Sequence, residues 1–240
     1  MRCNRVFPLA VVATLAACGG DDVEESLLIV TAYGEPFIEE GIPADEMADG
    51  WAIAFSTFDV TITGISVAGR AFSASAPVDL AVGSGGNGHE IGRTNVAAGS
   101  YSDAAFTIAR VAIEGTATKD GATKSFAWTF DTATSYTGCE TTTRVGGAAA
   151  ATFEITVHAD HLFYDSLVAE EPALRFQALA DADTDGDGAI TRAELESAGI
   201  GSYDAGSGGG VDNLWDWLVA QTATLGHVDG EGHCDSSRAN

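Results

Sequence analysis

Basic residues are scarce in this sequence. Two lysines (Lys119 and Lys124) and nine arginines stand against 35 acids in 240 residues, a formal net charge of −24. Such a chain repels phosphate backbones, which excludes nucleic-acid binding as a function class. No apolar run reaches the ~20 residues that a membrane-spanning helix needs. The chain also lacks a Gly-x-Ser-x-Gly elbow and a His-Glu-x-x-His helix signature, and its carboxylates form no catalytic pair of identifiable geometry, so it reads as non-enzymatic. What is plentiful excludes other classes. A hydrophobic share of 45% is too high for a disordered chain, and the 29 glycines follow no collagen-like period. A folded, acidic protein with a substantial core remains.

The charge is unevenly placed. Residues 18–60 carry 11 acids and no base, residues 61–157 carry eight acids and six bases, and residues 158–240 carry 16 acids and three bases. A nearly neutral middle between acidic ends predicts a packed β core with solvated flanks. Residues 18–49 read as an acidic tether and solvated loop that also hold a first strand near Leu27–Ala32. Over residues 50–158, short alternating segments replace any helical period. Trp51, Ile53 and Phe55 share one face, Phe58, Val60 and Ile62 take over after a bulge near Ser56–Thr57, and Phe126, Trp128, Phe130 and Phe153, Ile155, Val157 alternate cleanly. The predicted fold is mainly β with a helical C-terminal segment: an antiparallel β-sandwich followed by a calcium-loop region and an amphipathic helix over 159–240. A hairpin is expected to join Tyr136–Val145 to Thr152–His158.

The N-terminus reads as an address. Arg2 and Arg5 precede the apolar stretch Val6 to Ala17, which is too short to span a bilayer and fits a secretory signal over residues 1–17. Leu15-Ala16-Ala17-Cys18 resembles the lipobox of bacterial lipoproteins, in which Cys18 becomes the acylated first residue of the mature chain. That resemblance implies a membrane partner through a lipid anchor, and Gly19 in place of Asp implies an outer-membrane or cell-surface location.

The most specific motif is Asp-Thr-Asp-Gly-Asp-Gly-Ala-Ile-Thr-Arg-Ala-Glu at residues 183–194, which closely resembles a calmodulin-type EF-hand calcium loop. Ca²⁺ takes six to eight hard oxygens, and a tightly wrapped loop presents them from alternate positions. The resemblance places Asp183, Asp185 and Asp187 at the first three ligand positions, the Ala189 carbonyl and Thr191 next, and bidentate Glu194 as the closing ligand. Gly188 supplies the sharp turn and Ile190 the inward apolar strut. At this composition, three Asp, one Gly and one Glu at those offsets arise by chance with probability ~10⁻³. An incoming helix is expected from Pro172 to about Ala182 and a short outgoing one from Arg192. A single loop lacks the usual second hand. The stripe Val211, Leu214, Trp215, Leu218, Thr222, Leu225 is positioned to cover its open side.

An exported setting removes Cys3 with the signal and commits Cys18 to lipid, which leaves Cys139 and Cys234 to pair as a disulfide. Four of the five histidines fall in two segments, His158 with His161 and His227 with His233. The predicted disulfide carries His233 toward His158 and His161. Two readings stay open: a hydrogen-bonded seam between sandwich and C-terminal region, or a second metal site for Cu²⁺ or Zn²⁺, which accept mixed imidazole and carboxylate ligands. The second reading makes the chain a transition-metal-binding lipoprotein.

Overall fold

The computed structural model describes residues 24–73, 76–147, 149–207 and 209–238. The signal segment 1–17 and Cys18 lie outside the described residues. The chain is mainly β and builds two principal sheets. In the larger sheet the long strands Ala52–Val67 and Ala105–Lys119 pair antiparallel, and Ala122–Phe130 extends them on one side. The two-residue strand Ala189–Ile190 then adds to Ala122–Phe130. In the smaller sheet the order is Gly226–Val228, Ala151–Val157, Glu25–Tyr33, His89–Ala97.

Period-two alternation explains the inner faces. Phe58, Val60 and Ile62 are buried from one long strand, Phe126, Trp128 and Phe130 from its neighbour, and Leu28, Val30, Phe153, Ile155 and Val157 from the smaller sheet; all belong to one hydrophobic cluster. The register shift between Phe55 and Thr57 falls at the expected bulge and moves the buried set from odd to even positions. No helix among the described residues is long and apolar enough to cross a membrane.

Four expectations need correction. The sheets are mixed rather than antiparallel. Glu25–Tyr33 runs parallel to Ala151–Val157, and Ala189–Ile190 runs parallel to Ser125 and Phe126. Parallel partners need a long crossover connection, and more than a hundred intervening residues supply it here. The expected hairpin is absent, because Thr143–Val145 pairs with Gly99–Tyr101 while Ala151–Val157 is claimed by Glu25–Tyr33 and Gly226–Val228. The segment after the first strand is only partly solvated: Ile38, Ile42 and Met47 are buried, and Glu39 and Asp49 accept N–H bonds from Ser84 and Phe176, while residues 43–46 are exposed. Finally, the helix before the calcium-like loop covers only Gln177–Asp181. Residues 173–175 are drawn out of the helix, since Arg175 donates its N–H to the Phe163 carbonyl and Ala173 donates to Asp165 Oδ1.

Helix Leu214–Gln221 buries Leu214, Trp215, Trp217, Leu218 and Gln221. Asn213 caps its start by accepting from Asp216 N, and the Arg238 guanidinium caps its end by donating to the Val219 and Ala220 carbonyls. Arg238 belongs to the strand Asp235–Arg238, so the C-terminal segment returns to the larger sheet after crossing this helix.

Candidate metal-binding sites

The 183–194 loop is assembled from short-range hydrogen bonds and anchored by long-range ones. Asp183 Oδ1 accepts from Gly186 N at 2.8 Å and Oδ2 from Gly188 N at 3.0 Å. Asp185 Oδ1 accepts from Asp187 N, and Asp187 Oδ1 from Ala189 N at 2.7 Å. Gly186 and Gly188 have φ of 76° and 88°, a left-handed backbone that a side chain would strain. Glu194 closes the ring: Oε1 accepts from Thr184 N, while Oε2 accepts from Thr191 N and Thr191 Oγ1, each at 2.8 Å. The Thr191 hydroxyl in turn caps helix Arg192–Ser197, so the loop's last carboxylate also starts the outgoing helix.

Carboxylate oxygens of Asp183, Asp185 and Glu194 lie within 4.8 Å of one another. Asp187 stands outside that trio, held by the Ala189 N–H. Thr191 is engaged with Glu194, and Ala189 sits in the short strand. The Asp183 carboxyl is held below the usual range, chiefly by the Lys124 ammonium and then by the Gly186 and Gly188 N–H groups. Glu194 is likewise lowered, by the Thr191 N–H first and its hydroxyl second. Both therefore stay ionised at neutral pH.

The sheet provides what no local pattern announced. Ser125 donates its N–H to the Gly188 carbonyl at 2.8 Å, and Trp128 Nε1 donates to the Ile190 carbonyl at 2.8 Å. Lys124 Nζ reaches Asp183 Oδ2, whose side chain is shielded from solvent. Lys119 Nζ donates to Gln177 Oε1 at 3.0 Å. Both lysines of the chain thus grip the approach to the loop. Asp49 completes the support from 127 residues away, its Oδ2 accepting from Phe176 N and Gln177 N at 2.7 Å each and capping the Gln177–Asp181 helix.

The histidines form a second cluster on the smaller sheet. His158 follows the strand Ala151–Val157, His161 sits in the single turn Asp160–Phe163, and His227 is brought beside Thr156 by strand pairing. His233 is carried in by the bond between Cys139 and Cys234, whose sulfurs are 2.09 Å apart. Ring centroids of His158 and His227 are 4.4 Å apart, His161 and His227 5.1 Å, His158 and His161 5.3 Å, and His227 and His233 5.1 Å. The convergence was expected from the disulfide together with a hairpin that does not form; the pairing of Gly226–Val228 with Ile155–Val157 takes the hairpin's part.

Acids surround this cluster. Glu35 Oε2 lies 3.3 Å from His158 Nδ1 and Asp160 Oδ1 lies 3.9 Å from it. Ligand-capable atoms of His158, His227 and Glu231 fall within 4.8 Å of one another, and so do those of His158, Asp160 and His161. Sequence reasoning missed Glu35, more than a hundred residues away, for want of any local signal. Asp229 points elsewhere, accepting from Thr141 Oγ1 and Glu154 N. Burial, then the three neighbouring histidines, push His227 down to about 4, and burial also lowers His161. Both imidazoles are therefore neutral at physiological pH.

No protein-family model, curated protein or solved structure matches this chain. Function is therefore read from its side chains.

Proposed function

We propose that this chain is an exported, lipid-anchored, non-enzymatic protein whose 183–194 loop binds one Ca²⁺ on a β-sandwich-like scaffold. The observation that carries the reading is the loop itself: Asp183, Asp185 and Glu194 converge while Gly186 and Gly188 turn the backbone. Without a cation these carboxylates repel one another, and a bound ion turns that repulsion into attraction. The second hand of a paired EF-hand has no counterpart in the sequence. In this reading its place is shared by the strand Ala122–Phe130, which pairs with Ala189–Ile190, and by helix Leu214–Gln221 beside the outgoing helix. The ion then fixes the C-terminal half to the sheet, a structural role suited to the millimolar calcium outside cells, where sites of ~10⁻⁴ to 10⁻³ M suffice.

Isothermal titration of the full chain with CaCl₂ tests the binding: one equivalent is expected, with hydrogen-exchange protection rising across residues 183–197. Absence of heat at millimolar Ca²⁺ refutes the proposal. The anchor, carried by Leu15-Ala16-Ala17-Cys18, is tested separately. Mass spectrometry of the mature protein should find an acylated Cys18, and Cys18→Ser should release the protein from membranes.

A further inference from the structure

We propose that His158, His227 and Glu231, with His161 beside them, form a second site, for a borderline divalent metal ion, Zn²⁺ or Cu²⁺. This site stands apart from the calcium loop in every ligand and lies on the other sheet. Three observations converge on it.

The first is proximity. The ligand atoms of His158, His227 and Glu231 already lie within 4.8 Å of one another, and a metal with bonds near ~2.0 to 2.2 Å draws such atoms together by small side-chain movements. His158 also belongs to the trio with Asp160 and His161, so it stands at the centre of the cluster.

The second is an unmet donor or acceptor. His227 is only 6% exposed, and its Nδ1 is buried with no hydrogen-bond partner. A seam of hydrogen-bonded histidines leaves no such atom, because a buried polar group without a partner costs ~1–3 kcal/mol. A coordinated ion accounts for an imidazole in this surrounding.

The third is orientation by outer partners. His161 Nδ1 lies 2.7 Å from the Thr224 carbonyl, which assigns the ring proton to Nδ1 and leaves Nε2 to donate to a metal. His158 faces acceptors from both nitrogens, Glu35 Oε2 from Nδ1 and the Gly230 carbonyl from Nε2 at 3.3 Å. With Nδ1 facing the Glu35 carboxylate, Nε2 is the atom left to a metal, in the carboxylate–histidine–metal arrangement.

The donor set selects the metal. The nearest sulfurs are tied up in the Cys139–Cys234 bond, so soft thiolate chemistry is excluded, and imidazole nitrogens disfavour Ca²⁺ and Mg²⁺. Access is open: one hollow of about 250 Å³ is lined by His161, His227 and His233, and a neighbouring one of about 280 Å³ by His161 and His233. His233 thus stands at the mouth, positioned to receive an incoming ion.

The test uses the full chain, stripped by chelation, reloaded with excess Ca²⁺ and titrated calorimetrically with ZnCl₂ and CuCl₂. One equivalent binding at ~1 µM or tighter is expected, weakened about 100-fold by His227→Gln or His158→Gln. Electron paramagnetic resonance of the Cu²⁺ form should show nitrogen coupling from at least two imidazoles. Should the buried variants fail to fold, the wild-type spectrum and the half-buried His161→Gln decide instead. An absent nitrogen coupling, or affinities unchanged in His161→Gln and the buried variants alike, overturns the proposal. Asp183→Asn, which should abolish calcium binding, should leave this site intact, so each site can fail without the other.

Discussion

Lys124 places a tethered positive charge against the first carboxylate of the calcium-like loop, where Asp183 Oδ2 also accepts from Gly188 N. It lessens the net negative charge that draws an ion in. At the effective dielectric of a protein surface, a unit charge ~4 Å away is worth a few kcal/mol before screening, enough to set affinity. Lys124→Met keeps the aliphatic stem and removes the charge. Calcium affinity should rise about 10-fold by titration calorimetry, with a steeper salt dependence because a more negative loop has more attraction to screen. Glu194→Gln works in the opposite direction. Both Glu194 oxygens accept hydrogen bonds, from Thr184, Thr191 N and Thr191 Oγ1, and a neutral amide donates where a carboxylate accepted. Calcium affinity should fall by roughly two orders of magnitude in the same assay, and the outgoing helix should lose the reciprocal half of its capping box, at about 1 kcal/mol.

Among the elements, helix Leu214–Gln221 joins the loop to the sheet. Trp215 stacks on Phe130 with centroids 4.9 Å apart at 16°, and the Arg192 guanidinium lies 4.7 Å above the Trp215 ring. The outgoing helix and the sheet meet on one indole. Trp215→Ala should therefore cost about 3–5 kcal/mol in urea unfolding, and calcium should recover less stability in the variant than in the parent. The stripe legible in the sequence contained Val211, Leu214, Trp215, Leu218, Thr222 and Leu225, all buried except the half-buried Val211. It omitted Trp217 and Gln221, because the helix is covered on a second side, by Tyr203 against Trp217 and the Tyr164 carbonyl accepting from Gln221 Nε2. The same contrast runs through the molecule. The loop and the alternating strands are local patterns, written in residues a few positions apart. The parallel pairing of Glu25–Tyr33 and the approach of Glu35 to His158 depend on partners more than a hundred residues distant, and the truncation of the incoming helix depends on tertiary bonds to Phe163 and Asp165. No periodicity carries that information.

At the scale of the whole molecule, two ties bind the C-terminal segment. The Cys139–Cys234 bond spans a sequence separation of 95, which in the chain-entropy model contributes ~4–5 kcal/mol. The double variant Cys139→Ser/Cys234→Ser should lose most of that in urea unfolding, and its Zn²⁺ or Cu²⁺ affinity should drop as His233 comes free. Tyr136 is the other tie. Its ring stacks on Phe106 at 4.8 Å, and its hydroxyl donates toward the Ala223 carbonyl at 3.3 Å while accepting from Gly226 N at 3.2 Å. Only a glycine allows this approach, since a Cβ at Gly226 would stand 2.7 Å from the ring. Burial pushes the Tyr136 hydroxyl up from 10.0 to about 12. The folded chain therefore holds this proton where the unfolded chain has released it. Stability is fully present below pH 10, falls as pH rises, and reaches its full loss, about 2–3 kcal/mol from this group, above about 12. Tyr33, Tyr164 and Tyr203 are raised too and act in the same sense. Tyr136→Phe should cost about 1 kcal/mol at neutral pH through the lost hydrogen bonds and should flatten the alkaline limb of the stability profile by the Tyr136 share alone. An alkaline limb as steep in Tyr136→Phe as in the parent would show that this hydroxyl does not link the two sheets.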